Sequence, residues 1–308
     1  MKFSIYQESR PGARPNNQDR VAYSYSREAL LMVVADGMGG HLHGEIAAQI
    51  AAQYLIEAFQ QTAQPQIRDE LMFLSRSLTN AHNAIVDYAY DKRLPDAPRT
   101  TIVACLIQNS VAYWAHAGDT RLYLVRKGRT VAQTRDHSRL QLMMDQGLIT
   151  EEEALHHPAR NRIFSCLGGT HAPQVEFSNA TPLFANDLIV ICTDGVWGNL
   201  ESDDIVDQLA DTNILDTTPR LLNRAEARGG SSCDNLSILS MRWLEDYTEG
   251  VPSSISTDTM PMDSITTQMD GFTRSRPPEA NPLSDTDIEK AIEEINQAIK
   301  KYSKFEPR

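Results

Sequence analysis

The sequence predicts a layered α+β fold, and three observations carry that prediction. Apolar runs of strand length recur from Met1 to about Glu245. Those over 101–108, 111–117 and 121–125 are joined by connections too short for parallel crossovers, which favours antiparallel hairpins. Two helical patterns, 44–60 and 66–91, stand together instead of alternating with strands. This grouping argues for layered sheets over a doubly wound parallel sheet.

Taken in order, Val21–Ser26 and Leu30–Ala35 read as strands. The Ala-rich stretch 44–60 and the stretch 66–91 read as helices, followed by the hairpin strands. Thr150-Glu151-Glu152-Glu153 matches a capping box opening a short helix. Val175–Asn179 and Leu188–Thr193 return to strand, helices are expected from Ser202 and over Pro219–Arg228, and Asn235–Trp243 closes the unit as a strand.

Composition then shifts. Residues 247–283 are rich in Ser, Thr, Pro and Met without either periodicity and read as a flexible linker. Ser284 with Asp287 caps a last amphipathic helix, 284–308, whose Ile288, Ile292, Ile295, Ile299 and Tyr302 follow a heptad-like 4-3-4-3 spacing. Under three heptads make a marginal independent coiled coil, so this stripe is expected to dock on its own domain or on a partner. The domain expectation is therefore a body over 1–246, a linker over 247–283 and a helix over 284–308.

With 41% hydrophobic and 23% charged residues, the 308-residue chain has the balance of a soluble globular protein. A net charge of −12 without a basic patch argues against nucleic-acid binding. No segment has the apolar length of a membrane span, and the N-terminal residues lack the apolar core of a secretion signal. The scattered Cys105, Cys166, Cys192 and Cys233 form no C-x-x-C pair and read as reduced thiols, so the expected compartment is the cytoplasm.

The chemistry concentrates where apolar runs end in acid. Leu30 to Ala35 terminates in Asp36-Gly37, and Leu188 to Thr193 repeats the plan with Asp194-Gly195. Two strands that each export an aspartate point to a converging acidic site and a metal. Further segments join them: Arg14-Pro15-Asn16-Asn17-Gln18-Asp19, Gly118-Asp119-Thr120-Arg121, Thr134-Arg135-Asp136-His137-Ser138 and Asp234-Asn235. Each is weak alone. Together, in this order over residues 1 to about 245, they resemble the bacterial branch of the metal-dependent protein phosphatases of type 2C (PPM).

That resemblance implies a four-layer α/β/β/α sandwich, two mainly antiparallel sheets flanked by helices, hydrolysing phosphoserine and phosphothreonine in proteins. It implies two or three Mn²⁺ or Mg²⁺ ions, hard cations that prefer oxygen ligands. Asp36 would bridge two ions, with Gly37 offering its carbonyl. Asp194 and Asp234 would complete one shell, Asp19 would hold metal-bound water, and Asp119 with Asp194 would serve a third, weaker ion. Arg14 would clamp phosphate with its guanidinium fork while a metal-activated water attacks phosphorus in line. Residues 138–169 match a flap beside the site, where Arg160 and Arg162 would meet an acidic phosphopeptide.

The chain departs from the family pattern at three places. Gln18 stands where many members have Glu, removing a negative charge that acts through metal-bound water. Arg99 stands where a Gly commonly precedes the paired threonines, here Thr100-Thr101, and is expected to affect a turn. Met38 occupies a slot where some eukaryotic members carry a proton-donating His, and a thioether donates no proton. His41 and His43 read as loop residues, His137 as ordering the turn around Asp136, and Cys233 as an inert thiol.

The sequence thus reads as a cytoplasmic Ser/Thr protein phosphatase opposing a partner kinase, with phosphorylated proteins as substrates and no nucleic acid or membrane as partner. Two alternatives stand beside it: a phosphatase-like regulatory module with weakened metal chemistry, and a metal phosphoesterase acting on small molecules.

Overall fold

A strand that is apolar on both faces needs cover on both sides, and the fold supplies it in layers. The computed structural model describes residues 1–38, 43–64, 66–150, 153, 157, 162–210, 213–244 and 255–271. The chain opens with β1 (Lys2–Arg10), β2 (Arg20–Tyr25) and β3 (Ala29–Gly37), then α1 (Gly44–Thr62) and α2 (Glu70–Asp91). Next come β4 (Arg99–Gln108), β5 (Val111–Ala117), β6 (Arg121–Arg126), β7 (Arg129–Gln133) and α3 (Arg139–Asp145). Short strands β8 (Leu167–Gly168), β9 (Glu176–Phe177) and β10 (Thr181–Pro182) lead to β11 (Leu188–Cys192). Helices α4 (Asp194–Trp197), α5 (Ser202–Ala210) and α6 (Ile214–Gly229) precede β12 (Leu236–Trp243), β13 (Ile255–Ser256) and β14 (Thr266–Asp270).

One sheet runs β13-β1-β12-β11-β6-β7 and the other β10-β5-β4-β3-β2-β14, with β8 added beside β4 and β9 beside β5. Every pairing among these strands is antiparallel. The two-residue period of β3 sorts its side chains between two cores. Leu31, Val33 and Ala35 pack with Ala48, Ala51 and Leu55 of α1 and Leu74 and Leu78 of α2. The alanines let α1 lie close on the sheet. Leu30, Met32 and Val34 face the other sheet and meet Leu122, Leu124, Ile189, Ile191, Leu239 and Met241. A third core joins Val190, Cys192 and Ile238 to Ile205, Leu209, Leu221 and Leu222 under α5 and α6. Each buried Leu, Ile or Val contributes about 1.5–3 kcal/mol relative to exposure. The α/β/β/α sandwich follows from these three interlayer cores.

Capping decides the helix starts. Helix α2 begins at Glu70, later than the pattern from 66 implies, because Asp69 accepts the Met72 N–H and caps it there. Thr150 and Glu153 exchange the reciprocal bonds of a capping box: Thr150 N–H donates to Glu153 Oε2 at 2.8 Å, and Glu153 N–H to Thr150 Oγ1 at 3.2 Å.

The linker expectation over 247–283 needs correction within its described part. Residues 255–271 are not a loose tether: β13 pairs with β1, and β14 pairs with β2 from Thr266↔Tyr25 to Asp270↔Val21. Thr257 Oγ1 accepts from the N-terminal amine at 2.9 Å, and Thr267 Oγ1 accepts from Gln60 Nε2 at 2.8 Å. The pairing combines backbone and hydroxyl bonds with partial burial of Ile255, Ile265 and Met269 against the two cores, too few apolar residues to set up a strand alternation. The heptad-like helix 284–308 lies outside the described residues. No helix among the described residues is long and apolar enough to cross a membrane.

Candidate active site

The strand alternation that builds the inter-sheet core also builds the site. Leu30, Met32 and Val34 face the opposite sheet, and the next residue in that series is Asp36. On neighbouring strands the same inner series runs from Val103 to Thr101, from Val21 to Asp19, from Ile191 to Thr193 and from Met241 and Leu239 to Ser237. The layer between the sheets therefore changes from hydrocarbon to carboxylates and hydroxyls at one end.

Hydrogen bonds lock this polar end. Thr193 Oγ1 donates to Asp19 Oδ2 at 2.9 Å and accepts from Ser237 N–H at 3.0 Å, while Ser237 and Ser9 share a hydroxyl contact of 2.7 Å. Thr100 Oγ1 donates to the Asp36 carbonyl at 2.8 Å. Thr101 and Thr120 hydroxyls meet at 2.6 Å, tying the Gly118-Asp119-Thr120 turn to β4. Asn235 staples the N-terminal loop: its amide donates to the carbonyls of Pro11 and Asn16 at 2.8 and 2.9 Å, and its Oδ1 accepts the Gln18 N–H at 2.9 Å.

Glycines let the backbones close. Gly37 N–H donates to the Gln18 carbonyl at 3.2 Å, and a Cβ on Gly37 would stand 2.4 Å from the Gly44 carbonyl oxygen. A Cβ on Gly195 would stand 1.9 Å from the Asn235 carbonyl oxygen, so the start of α4 and the turn before β12 touch through glycine.

The acids crowd one another. Burial, then the charges of Asp19, Asp194, Asp119 and Asp234, push the Asp36 carboxyl well above its ordinary range. Asp119 is raised by burial, then by Asp194 and Asp136, against the nearby Arg121. Asp19 is pushed up to about 7, chiefly by burial, with Asp194 and Asp234 adding to the rise and the Ser237 and Thr193 hydroxyls opposing it. Against this negative charge stands Arg14, whose Nη2 donates to Asp234 Oδ2 at 2.7 Å and whose guanidinium also senses Asp194 and Asp36.

The structure thus brings together Arg14, Asp19, Asp36, Gly37, Asp119, Asp194 and Asp234. Arg160 lies outside the described residues. Arg162 is exposed, and its carbonyl accepts the Arg139 N–H at 2.9 Å at the start of α3. Arg99 does more than shape a turn: its carbonyl accepts the Met38 N–H at 3.0 Å, and it pairs with Gly168 of β8. Cys233 is buried and its thiol is pushed up by that burial, so it stays protonated.

His137 supports a different turn from the one expected. Asp136 pairs with Arg121 through both oxygens, at 2.9 and 2.8 Å. His137 Nδ1 accepts the Gly118 N–H at 3.3 Å and its ring stacks on His116 at 4.6 Å. His116, His137 and Glu176 bring ligand atoms within 4.8 Å of one another. With Nδ1 accepting, however, the neutral His137 ring carries its proton on Nε2, facing Glu176 at 3.5 Å. A metal needs a lone pair there, so the trio reads as support for the Asp119 turn. Sequence reasoning also missed Trp197, whose indole N–H donates to the Asp119 carbonyl at 3.0 Å beneath the Arg121 guanidinium.

Comparison with known proteins agrees with this geometry. The family described as Protein phosphatase 2C matches residues 9–232. A putative protein phosphatase 2C-type of Streptococcus pyogenes is 30% identical over 227 residues, covering 73% of this chain and 91% of that one. The serine/threonine phosphatase PstP/Ppp of Mycobacterium tuberculosis superposes with a TM-score of 0.69 at 30% identity, covering 79% of this chain and 100% of that one. A catalytic domain of PstP solved in complex with 2 manganese ions superposes with a TM-score of 0.66 at 27% identity, over 79% and 99% of the two chains. Strand-end aspartates, their hydroxyl braces and the matched length lead to one assignment: the chain belongs to the protein phosphatase 2C family.

Proposed function

We propose that the protein is a Ser/Thr protein phosphatase that removes phosphate from phosphoserine and phosphothreonine with two or three Mn²⁺ or Mg²⁺ ions. The single observation that carries this reading is the convergence of Asp19, Asp36, Asp119, Asp194 and Asp234 at the polar end of the inter-sheet layer, with Arg14 beside them. Burial, and then the charges of neighbouring aspartates, favour the protonated forms of Asp19, Asp36 and Asp119, so the cluster fits divalent cations that supply the missing positive charge. All the donors are oxygens, which suits hard cations.

Asp36, the Gly37 carbonyl, Asp194 and Asp234 would hold the principal ions, Asp19 would orient water, and Asp119 with Asp194 would serve a third. When bound, such cations make water a better nucleophile and neutralise phosphate charge. The Arg14 guanidinium is half exposed and carries a planar fork that fits two phosphate oxygens, so it seats the substrate and steadies charge as the ester breaks. Water oxygen joins phosphorus as one of its O–H bonds breaks, the phosphorus–ester oxygen bond breaks, and the departing side-chain oxygen takes a proton from solvent that balances the one the attacking water releases. Met38 supplies none.

This reading extends to a cytoplasmic signalling enzyme whose substrates are set by a partner Ser/Thr kinase. The test uses purified protein with p-nitrophenyl phosphate and a phosphothreonine peptide, with Mn²⁺ or with chelator, beside Asp36→Asn. Metal-dependent release of phosphate from both substrates, lost in the variant, is expected. Turnover of the small ester without any phosphopeptide would move the assignment to small-molecule substrates.

A further inference from the structure

Charge is unevenly distributed around the proposed cation cleft. Asp19, Asp194, Asp119 and Asp234 all act on Asp36, whereas the next residue, Gly37, offers a neutral carbonyl and is bonded through its N–H to Gln18, whose side chain is a neutral amide. The carboxylate bonded to that amide is Glu45, in the first turn of α1. Its place is set by backbone contact: Gly44 lies so close to Gly37 that a Cβ on Gly44 would meet the Gly37 carbonyl carbon at 2.9 Å. Gln18 closes the ring. Its carbonyl accepts the Gly37 N–H at 3.2 Å, and its side-chain Nε2 donates to Glu45 Oε2 at 3.1 Å.

We infer that Glu45 is a positioning residue for the cation on the Gly37 side, acting with Gln18 as one unit. The inference rests on the metal-dependent reading above. Donation from Nε2 to Glu45 orients the Gln18 amide and leaves its Oε1 as an acceptor for water. The other Glu45 oxygen, Oε1, lies 3.7 Å from His43 Nδ1, and the side chain keeps about a third of its surface exposed. It is therefore open to water, and it offers the carboxylate that Gln18 lacks. Glu45 also faces the Arg20 guanidinium, which donates from Nε to Gln49 and from Nη1 to the carbonyls of Asn17 and Asp19. A carboxylate at the start of a helix also favours the helix electrostatically, so the test must separate that role from cation positioning.

The separating experiment is calorimetric titration of the full chain with Mn²⁺, which needs no turnover, on wild type, Glu45→Gln and the exchanged pair Gln18→Glu/Glu45→Gln. Outer-sphere partners of a metal typically change affinity about 10–100-fold. Glu45→Gln is expected to weaken one Mn²⁺-binding step, that of the ion on the Gly37 side, about 10-fold or more. The exchanged pair is expected to recover most of that loss, because the charge returns to the other member of the same hydrogen bond. Unchanged Mn²⁺ affinity in Glu45→Gln overturns the inference. So does a loss that the exchange leaves unrepaired, or a lowered melting temperature in chelator as the variant's only effect. A wild-type chain that takes up no Mn²⁺ fails the metal-dependent reading itself, and this inference with it; it is told apart by failing before any variant is compared.

Discussion

The Arg14 guanidinium donates to Asp234 Oδ2 at 2.7 Å, joining the loop after β1 to the turn before β12. Both side chains are substantially exposed, so the pair adds about 1 kcal/mol or less to stability. Its worth lies in where it holds the guanidinium. Arg14→Ala should leave the melting temperature nearly unchanged while kcat/KM on p-nitrophenyl phosphate falls about 10²-fold or more. Arg14→Lys keeps the charge but not the fork and should recover only part of the loss. Steady-state kinetics at saturating Mn²⁺ check both.

Asp36 is raised because its charged form is disfavoured by burial and by its neighbours. A carboxyl whose folded pKa exceeds its unfolded value, 3.8 here, stabilises the fold fully below that value. That contribution is lost as pH rises through the folded value. Asp36→Asn removes the titration, so in chelator at pH 8 the variant should melt a few degrees above wild type. Mn²⁺ should raise the melting temperature of wild type only. A variant less stable than wild type in chelator would contradict the repulsion argument.

Gly195 has no space for a methyl group, since the Asn235 carbonyl oxygen would lie 1.9 Å from it. Gly195→Ala must push α4 away from the turn before β12, separating Asp194 from Asp234. The expected cost is about 3 kcal/mol in urea unfolding, together with loss of Mn²⁺ uptake.

Strands β13 and β14 close the edges at β1 and β2. A chain ended at Glu245 should therefore melt about 5–10 °C below one ended at Gly271 and aggregate more readily, because the β2 edge is uncovered. Scanning calorimetry on the two chains decides it; equal melting temperatures would make the strands ornamental.

His82 is buried, and its Nδ1 accepts the Gly168 N–H at 3.0 Å. Burial lowers its pKa from 6.5, so the fold favours the neutral ring. Its contribution is intact above pH 6.5 and declines as pH falls below that value. The melting temperature of His82→Gln should vary less than that of wild type between pH 7 and 5.

Much of this was legible in the chain. The strand-end aspartates were, because an apolar run that stops at Asp36 or Asp194 marks where a strand leaves the core. The polar braces were not. Thr101 and Asn235 stand within motifs read from the chain, but what they, Thr193 and Ser237 bond to depends on strand register, which sets the four beside Asp19, Thr120 and the N-terminal loop. The short strand β14 was hidden for a related reason: Thr266 to Asp270 bury little apolar surface, so hydrophobic periodicity is silent about them.

By itself the sequence determined the antiparallel layering and the apolar series that end in Asp36 and Asp194, which depend on local spacing and strand period; Asp19, Asp119 and Asp234 entered through the resemblance that the order of the motifs carries. Only the tertiary structure decided that burial, and after it neighbouring aspartates, raise Asp19, Asp36 and Asp119, that His137 braces Gly118, and that Gln18 turns its amide to Glu45. Those relations join residues from different elements. Mutual burial and charge proximity are properties of the packed layers, and no single stretch of chain contains them.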